Sequence, residues 1–215
     1  MASIDAHVNS RRSYDVSRRR EQARRSHESL LDAALTRFLE FGFAATTVES
    51  IATDANVSAA TIYKSYGGKP GVVRALCERA LEGAGPTPAE QRSDALKRSE
   101  SDPRHLIEGW GRFTAEVAPR VSPILLLLRD AAATDVSAAE LYDELDRNRM
   151  RRMTVNARHL VRAGHLRPGV GLAGARDVLW LYSSPELYDL LVQRRRWSVT
   201  RYSRFVAAAM IAALL

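Results

Sequence analysis

The sequence predicts an all-α protein, in which an N-terminal helix-turn-helix domain of three helices is followed by a larger helical C-terminal domain. Apolar residues recur at the spacing of a helix face, and no segment alternates convincingly between apolar and polar residues as a strand does. Gly, Pro and Asn stand between the apolar segments, where helices end and the chain turns. A chain of 215 residues suits one or two domains and can bury a sizeable core.

The first predicted helix has one apolar face and ends at Gly42, a residue type that commonly follows the C-terminus of a helix. Its apolar positions are Leu30, Leu31, Ala34, Leu35, Phe38 and Phe41. A face of this width predicts that one side of the helix is buried.

Two short helices joined by a tight turn are predicted between residues 45 and 69. Thr46 and Glu49 have the spacing of a capping box at the start of the second helix. The apolar positions of that helix follow helical spacing: Val48, Ile51, Ala52 and Ala55. Asn56 tolerates left-handed backbone conformation and marks the turn, and Ser58 is the expected N-cap of the third helix. This is the helix-turn-helix layout, whose second helix enters the major groove of DNA.

A fourth helix is predicted after Gly67 and Gly68, which break the third helix. Pro70 lies in its first turn, where the missing backbone N–H removes no helical hydrogen bond. Its apolar positions are Val72, Val73, Leu76 and Leu81. These signals predict an N-terminal domain that covers residues 26–83.

The order LLDAALTRFLEFGFAATTVESIATDANVSAATIYKSYGGKPGVVRAL resembles the DNA-binding domain of the TetR family of transcriptional regulators. The resemblance covers Ser26 to Leu81 and is specific, because it extends over four helices and their caps. It implies a homodimeric, all-helical repressor whose residues 26–83 bind DNA. Residues 84–215 would then bind a small ligand and form the dimer.

The resemblance also implies roles for individual residues. Thr47, Tyr63 and Lys69 are expected to contact phosphates. The residues expected to face the groove are Ala59, Ala60, Thr61 and Lys64. The full set of expected DNA-binding residues is Thr47, Ser58, Ala59, Ala60, Thr61, Tyr63, Lys64, Tyr66 and Lys69.

The chain departs from the usual family pattern at several positions of the turn and the third helix. Glycine is common where Asn56 and Ala60 stand. Histidine is common where Ser65 stands, and phenylalanine where Tyr66 stands. None of these changes breaks the predicted fold.

Apolar periodicity predicts further helices after a linker from Glu82 to Pro88. The polar residues 89 to 102 are expected to form either a loose helix or a mobile loop. The predicted helices that follow cover Pro103–Val117, Ser122–Thr134, Ser137–Ala163, Leu172–Arg195 with an interruption at Pro185, and Val199–Leu214.

The last predicted helix has an apolar face too wide for a terminal helix exposed to solvent. The expected dimer-interface residues on it are Tyr202, Phe205, Val206, Ala209, Met210 and Ala213. The end of the chain is similar to that of some actinobacterial-type TetR regulators, in which the last two helices pair with their counterparts. The alternative is that this helix caps the core of its own subunit.

The expected ligand pocket combines aromatic side chains with polar side chains on an apolar stripe of the helix from Ser137. Buried polar groups cost free energy unless they have partners. Arg149 and Asn156 are therefore expected to hold a ligand, or an internal partner such as Asp130. The expected pocket residues are Trp110, Phe113, Tyr142, Arg149, Met153, Asn156 and Trp180. Each aromatic residue among them also suits an ordinary core position.

The formal net charge of +7 favours a polyanionic partner. Much of the arginine lies in residues 1–25, which are predicted to be a flexible basic arm, either solvated or in contact with DNA. Lysine occurs only at Lys64, Lys69 and Lys97. The first two stand at the end of the third helix and just beyond it, where they can meet phosphates.

Several classes of protein do not fit the sequence. Cys77 is the single cysteine, so an intramolecular disulfide is impossible, and a buried, inert thiol in a reducing compartment is expected. The longest apolar stretch, Phe205 to Leu215, is too short for a bilayer, and a cytoplasmic protein without a membrane partner is expected. The five histidines are scattered, without a zinc spacing, a P-loop or a nucleophile elbow. No enzyme, metal or cofactor is therefore expected.

The residues and the resemblance together indicate a sequence-specific DNA-binding transcriptional regulator. It is expected to bind a palindromic operator on double-stranded DNA as a homodimer and to be released by a small-molecule effector. The alternative is an architectural DNA-binding protein that binds with little sequence preference and responds to no effector.

Overall fold

A computed structural model of the chain describes residues 5–83 and 87–215, and the side chains of residues 21, 22, 24–83 and 87–215. The described residues contain helices and no strand, which confirms the predicted all-α class. The helices are α1 Asp5–Ala45, α2 Val48–Asp54, α3 Ala59–Tyr66, α4 Lys69–Glu82, α5 Ala89–Ser99, α6 Pro103–Ala131, α7 Val136–Arg162, α8 Leu172–Tyr182, α9 Pro185–Tyr188, a π-helical segment Asp189–Arg194, and α10 Val199–Leu214. Within these ranges, no helix is long and apolar enough to cross a membrane.

The chain divides into two compact units, with the boundary between Val72 and Val73. Most side chains of the predicted basic arm, residues 1–25, lie outside the described residues. The predicted domain limits, 1–25, 26–83 and 84–215, stay predictions.

The N-terminal unit is built around the break that Gly42 makes in α1. Gly42 has φ 82° and ψ 170°, values that a residue with a side chain rarely adopts, so the helical path ends there as predicted. The chain then turns and buries Phe43, which is 1% exposed and stacks on Phe38. Phe41, by contrast, is 51% exposed, so its predicted place on the apolar face is wrong. The break, rather than the periodicity of α1, decides which phenylalanine enters the core.

The capping box of α2 lies one residue beyond its predicted position. Thr47 is the N-cap, and its hydroxyl accepts a hydrogen bond from the Ser50 backbone N–H at 3.0 Å. The Ser50 hydroxyl in turn accepts from the Thr47 backbone N–H at 3.1 Å. Thr46 is buried, and its hydroxyl donates to the carbonyl of Gly42 at 2.8 Å. The predicted pair of Thr46 and Glu49 is wrong because Thr46 is needed to satisfy the helix break.

The turn before α3 follows the prediction. Asn56 has φ 53°, in the left-handed region. Ser58 caps α3, and its side-chain oxygen accepts from the Thr61 backbone N–H at 3.1 Å. Gly67, with φ 74°, ends the helix. After it, Pro70 lies in the first turn of α4 as predicted.

Further along α4, two predictions have opposite outcomes. Leu81 is 47% exposed, so its place on the buried face is wrong. Cys77 is 2% exposed, and burial raises the pKa of its thiol to about 12. A thiol with this pKa stays protonated near neutral pH, in agreement with the predicted inert cysteine.

The C-terminal unit has one continuous apolar core to which α6, α7, α8, α9 and α10 contribute. Its buried members are Leu106, Ile107, Trp110, Ala115, Ala118, Ala157, Leu160, Ala175, Leu179, Tyr188, Tyr202, Val206, Met210 and Leu214. α6 is a single helix that runs through Pro119 and Pro123, so the two separate helices predicted there are wrong. Each proline removes one helical hydrogen bond, but buried residues on both sides keep the helix on the core.

Residues 89–99 form a helix, which settles the predicted choice between a loose helix and a loop. Ion pairs hold α5 to α7: the Arg152 guanidinium donates to Asp94 at 2.8 Å and to Glu90 at 3.0 Å. The Lys97 ammonium lies 2.7 Å from Asp94. Hydrogen bonds from Arg152 and Lys97 lower the pKa of Asp94 to about 2.

The face of α10 that the sequence assigns to a dimer interface is largely internal. Tyr202, Val206 and Met210 are at most 2% exposed and pack in the core of their own unit. A side chain without exposed surface has nothing to offer a second subunit, so these three assignments are wrong. Phe205 is 39% exposed, and Ala209 and Ala213 are half-buried.

α6 and α10 approach each other closely at Gly111. A Cβ atom placed on Gly111 would lie 2.9 Å from the Cβ of Ala207 and 3.2 Å from the carbonyl oxygen of Ser203. Distances this short leave no room for a methyl group unless the two helices separate.

Gly111→Ala should therefore lower the free energy of unfolding by about 1–3 kcal/mol, the usual cost of overpacking. Gly174 in α8 is the matched control, because the nearest atom to a Cβ there is 3.8 Å away. Gly174→Ala should raise the free energy of unfolding by about 0.4–1 kcal/mol, because alanine restricts the unfolded chain. Urea denaturation of both variants measures the difference, and equal effects would contradict the close approach of α6 and α10.

Candidate nucleic-acid interface

α3 is held by one side and presents the other to solvent. Ile62 is fully buried, whereas Ala60, Thr61 and Lys64 are exposed. At 100° per residue, Ala60 and Lys64 project from the side of the helix opposite Ile62. The predicted groove-facing residues are therefore exposed, except Ala59, which is half-buried.

The start of α3 is tied together by hydroxyl groups. The side-chain oxygens of Ser58 and Thr61 are 2.8 Å apart, and Ser58 also accepts from the Thr61 backbone N–H. These contacts hold the Thr61 side chain beside the N-cap and restrict its rotamers. An exposed hydroxyl held in this way can hydrogen-bond a base edge or a phosphate with little further loss of entropy.

α2 has its own exposed N-terminus. Thr47 is exposed there, and the first backbone N–H groups of a helix favour anions. At the other end of α2, Asp54 forms a bidentate ion pair with Arg37 of α1, in which Arg37 Nη2 lies 3.0 Å from Asp54 Oδ1. Tyr63, a third predicted phosphate contact, is 53% exposed on α3.

Tyr66 is half-buried at the end of α3 and joins that helix to α1. Its hydroxyl lies 2.6 Å from His27 Nδ1, and the two rings stack with centroids 5.6 Å apart. Local sequence patterns do not reveal this pair, because residues 27 and 66 are too far apart in the chain. In this structure the Tyr66 hydroxyl serves to orient α3.

Lys69 is also engaged within the N-terminal unit. Its ammonium donates to the Phe43 carbonyl oxygen at 2.9 Å and lies 4.0 Å from the centroid of the Phe43 ring. A phosphate contact by Lys69 would have to replace or share this hydrogen bond. Lys64, by comparison, is exposed.

The turn before α3 and α3 itself carry no acidic residue. The sequence contains none between Asp54 and Glu78, whereas Lys64 and Lys69 lie in that interval. Arg74 lies there too, but its charge is paired with Glu144 at 2.7 Å. A phosphate that approaches α3 therefore meets no carboxylate from the turn or from α3. This arrangement suits binding to a polyanion.

Two residues of the predicted ligand pocket, Arg149 and Trp180, are joined to each other and to an internal carboxylate. Arg149 donates to the Trp180 carbonyl at 2.6 Å and to Asp146 at 2.7 Å, and its guanidinium lies 4.6 Å from the Trp180 ring centroid. Trp180 Nε1 donates to the same Asp146 carboxylate at 3.2 Å. The internal partner of Arg149 is thus Asp146, and Asp130 instead pairs with Arg129.

The remaining pocket candidates are distributed over the core. Asn156 is buried and accepts a hydrogen bond from Lys97 at 3.2 Å. Trp110 is buried, and Phe113 and Met153 are half-buried against the same apolar core. Tyr142 is half-buried, and burial raises the pKa of its hydroxyl. All seven candidates lie in the C-terminal unit, and their roles in binding stay predictions.

An open groove between α6 and α10 was not predicted. Its volume is about 690 Å³, and Ala115, Ser203 and Ala207 are among its lining residues, with Glu108 and Arg204 also on its walls. None of the predicted pocket residues lines it. Sequence periodicity could not reveal this groove, because it depends on how closely α6 and α10 approach.

Comparison with known proteins relates the N-terminal segment to a family of bacterial regulators. Residues 30–76 match the family model described as bacterial regulatory proteins, tetR family. YvkB of Bacillus subtilis (strain 168), an uncharacterized HTH-type transcriptional regulator, is 35% identical over 74 residues. That match covers 34% of this chain and 39% of YvkB, so the chain spans well under half the length of this relative.

Solved structures share the fold over most of the chain. NalD of Pseudomonas aeruginosa, the secondary repressor of the MexAB-OprM multidrug efflux pump, has a TM-score of 0.71 at 19% identity, covering 91% of this chain and 98% of NalD. FadR of Bacillus subtilis in complex with stearoyl-CoA has a TM-score of 0.68 at 15% identity, covering 87% and 99%. SmeT in complex with triclosan has a TM-score of 0.68 at 22% identity, covering 88% and 91%. At these identities the likeness shows a common fold.

Replacing Lys69 tests whether its contact with Phe43 stabilises the N-terminal unit. Lys69→Met should lower the free energy of unfolding by about 1 kcal/mol, because the Phe43 carbonyl loses its charged donor while the aliphatic stem is kept. Lys64→Met, at an exposed position, should change it by less than about 0.5 kcal/mol. Thermal unfolding in the absence of DNA measures both, and equal stability of the two variants would contradict the structural role of Lys69.

Proposed function

We propose that this chain, which belongs to the tetR family of bacterial regulatory proteins, is a sequence-specific DNA-binding transcriptional repressor. It binds a palindromic operator as a homodimer and leaves it when a small molecule binds. The observation that carries the proposal is the presentation of α3: Ile62 anchors the helix, and the side chains opposite it are exposed on a helix that carries no acidic residue.

α3 is the helix that reads the major groove. Thr61 and Lys64 have the hydrogen-bonding groups to contact base edges, and Ala60 is small enough to let the helix approach closely. Thr47 and Tyr63 bind phosphates on either side of the groove and set the register of the helix. Lys69 adds a phosphate contact only when its ammonium leaves the Phe43 carbonyl, so its contribution is smaller than that of Lys64.

Exposed apolar residues at the end of the chain support the homodimer. Phe205 makes edge contacts with the rings of Tyr182 and Trp197, with centroids 6.5 Å and 5.4 Å away. Leu181 is 53% exposed one residue before Tyr182. A patch of aromatic and aliphatic surface around Phe205 suits contact with a second copy. A symmetric pair then places two α3 helices on successive turns of the same face of DNA.

The dimer exists in one form that holds DNA and another that releases it, and a small molecule shifts the population towards the second form. It must bind the form that releases DNA more tightly than the form that holds it. The structures of FadR with stearoyl-CoA and of SmeT with triclosan support a small-molecule effector for this chain. We place the effector in the C-terminal unit, which has the larger apolar core.

Selection of bound fragments from the source genome, followed by gel shifts, tests the DNA-binding proposal. Thr61→Ala and Lys64→Ala should each weaken binding to the selected site by about ten- to a hundredfold, because base contacts contribute about 1–3 kcal/mol each. Binding to random DNA should change much less. Arg158→Ala, which removes one exposed positive charge from α7, is the charge-matched control.

Two results would contradict the proposal in different ways. Equal losses on selected and random DNA would remove Thr61 and Lys64 from base reading. A wild-type protein that enriches no particular sequence would support an architectural DNA-binding protein instead.

The dimer proposal is tested by charging the exposed aromatic surface. Phe205→Glu should convert the dimer to a monomer at micromolar concentrations, because a carboxylate would be desolvated in the interface. Val155→Glu on α7, where valine is 44% exposed, is the control and should leave the dimer unchanged. Sedimentation velocity measures the mass, and circular dichroism verifies that both variants are folded. A dimer that survives Phe205→Glu would move the interface elsewhere.

A further inference from the structure

Two polar atoms in the apolar core of the C-terminal unit lack hydrogen-bond partners among the described residues. They are the indole Nε1 of Trp110 and the hydroxyl of Tyr202. Trp110 is 5% exposed and Tyr202 is fully buried, so solvent does not replace the missing partners. Leaving a buried polar group unpaired is costly, and most proteins avoid it.

The two unpaired groups belong to residues next to a close approach of α6 and α10 at Gly111. Gly111 faces Ser203 and Ala207 across that point. Trp110 directly precedes Gly111, and Tyr202 directly precedes Ser203. Both side chains enter the same apolar core. One indole N–H and one hydroxyl therefore stand on neighbouring helices and enter a core built mainly of apolar side chains.

Besides α6 and α10, the segment from α8 to the π-helical segment contributes to this core, and its helices are short and interrupted. α8 ends at Tyr182, α9 is four residues long, and a π-helical segment follows from Asp189 to Arg194. Tyr188, the last residue of α9, packs its ring edge to face with Tyr202 at 5.5 Å between centroids. Interrupted and π-helical segments often occur at functional sites, and such a segment can move with less loss of packing than a continuous helix.

The charge of the core restricts what can bind there. Among the described residues, none of the buried side chains is charged. Two partly buried cations of the unit already have carboxylate partners: Lys97 lies 2.7 Å from Asp94, and Arg149 lies 2.7 Å from Asp146. An anionic ligand in this core would thus meet no buried cation among the described residues, and burial of its charge would oppose binding.

We propose that Trp110 and Tyr202 are the polar contacts of the effector site, and that the effector is an uncharged, largely apolar molecule with an oxygen that accepts hydrogen bonds. The Trp110 N–H and the Tyr202 O–H donate to that oxygen, and the surrounding core residues bind the apolar part. The inference names the effector class of the regulator and rests on the proposed function. Tyr202, which the sequence assigned to the dimer interface, is thereby assigned to the ligand site.

Three matched probes test the inference by their effect on the melting temperature of the full-length protein. Benzophenone has the required neutral carbonyl oxygen, diphenylmethane has the same rings without it, and 4-benzoylbenzoate adds a negative charge. At equal concentrations, the shifts should correspond to about tenfold tighter binding of benzophenone than of diphenylmethane. 4-Benzoylbenzoate should bind more weakly than benzophenone.

Conservative variants test whether Trp110 and Tyr202 cause the preference for benzophenone over diphenylmethane. Trp110→Phe and Tyr202→Phe should each reduce the benzophenone affinity by about tenfold and leave that of diphenylmethane nearly unchanged. Trp197→Phe should alter neither, because Trp197 lies outside the core cluster. Without any probe, Tyr202→Phe should keep or raise the melting temperature, since it removes an unpaired hydroxyl. Tyr188→Phe should lower it, because the Tyr188 hydroxyl is hydrogen-bonded to Gln193.

The outcomes separate this inference from the proposed function. Equal shifts with benzophenone and diphenylmethane, or no shift with either, would overturn the inference. A preference that survives both Trp110→Phe and Tyr202→Phe would overturn it as well. Selective binding of genomic DNA by the same preparation is measured independently, so its failure would refute the DNA-binding function without affecting the probe result.

Discussion

A helix of eight residues is too short to be stable alone in water, so α3 depends on the burial of Ile62 against the rest of the N-terminal unit. Ser58 and Gly67 cap the two ends of the helix, and Tyr66 joins it to His27 of α1. With one side of α3 packed in this way, the side chains on the opposite side contribute little to stability. The exposed residues of α3 can therefore differ without loss of the fold, and their identity can suit a binding partner.

A comparable constraint organises the C-terminal unit, where Gly111 allows α6 and α10 to approach closely. The close approach places Tyr202, Val206 and Met210 inside the unit and leaves Phe205 at its surface. One helix thus contributes to the core on one side and presents an aromatic surface on the other. The same approach brings the unpaired groups of Trp110 and Tyr202 into one apolar core.

Most of the fold was predictable because its signals are local. The approximate bounds predicted for α10 agree with the structure, and the turn at Asn56 and the cap at Ser58 follow from residue types that suit those conformations. The errors arose where a residue could satisfy either of two neighbouring roles. Thr46 and Thr47 both suit an N-cap, and only the helix break at Gly42 decides between them.

By itself, the sequence determined the helical class and the helix-turn-helix, because spacing and caps act within a few residues along the chain, whereas the groove-facing residues of α3 were implied by the resemblance to the TetR family. Only the tertiary structure decided which partner each distant polar group has. Arg149 binds Asp146 and Trp180, His27 binds Tyr66, and Lys69 binds the Phe43 carbonyl. Contacts between different helices depend on the distance and rotation of whole elements, and a linear pattern does not contain that information.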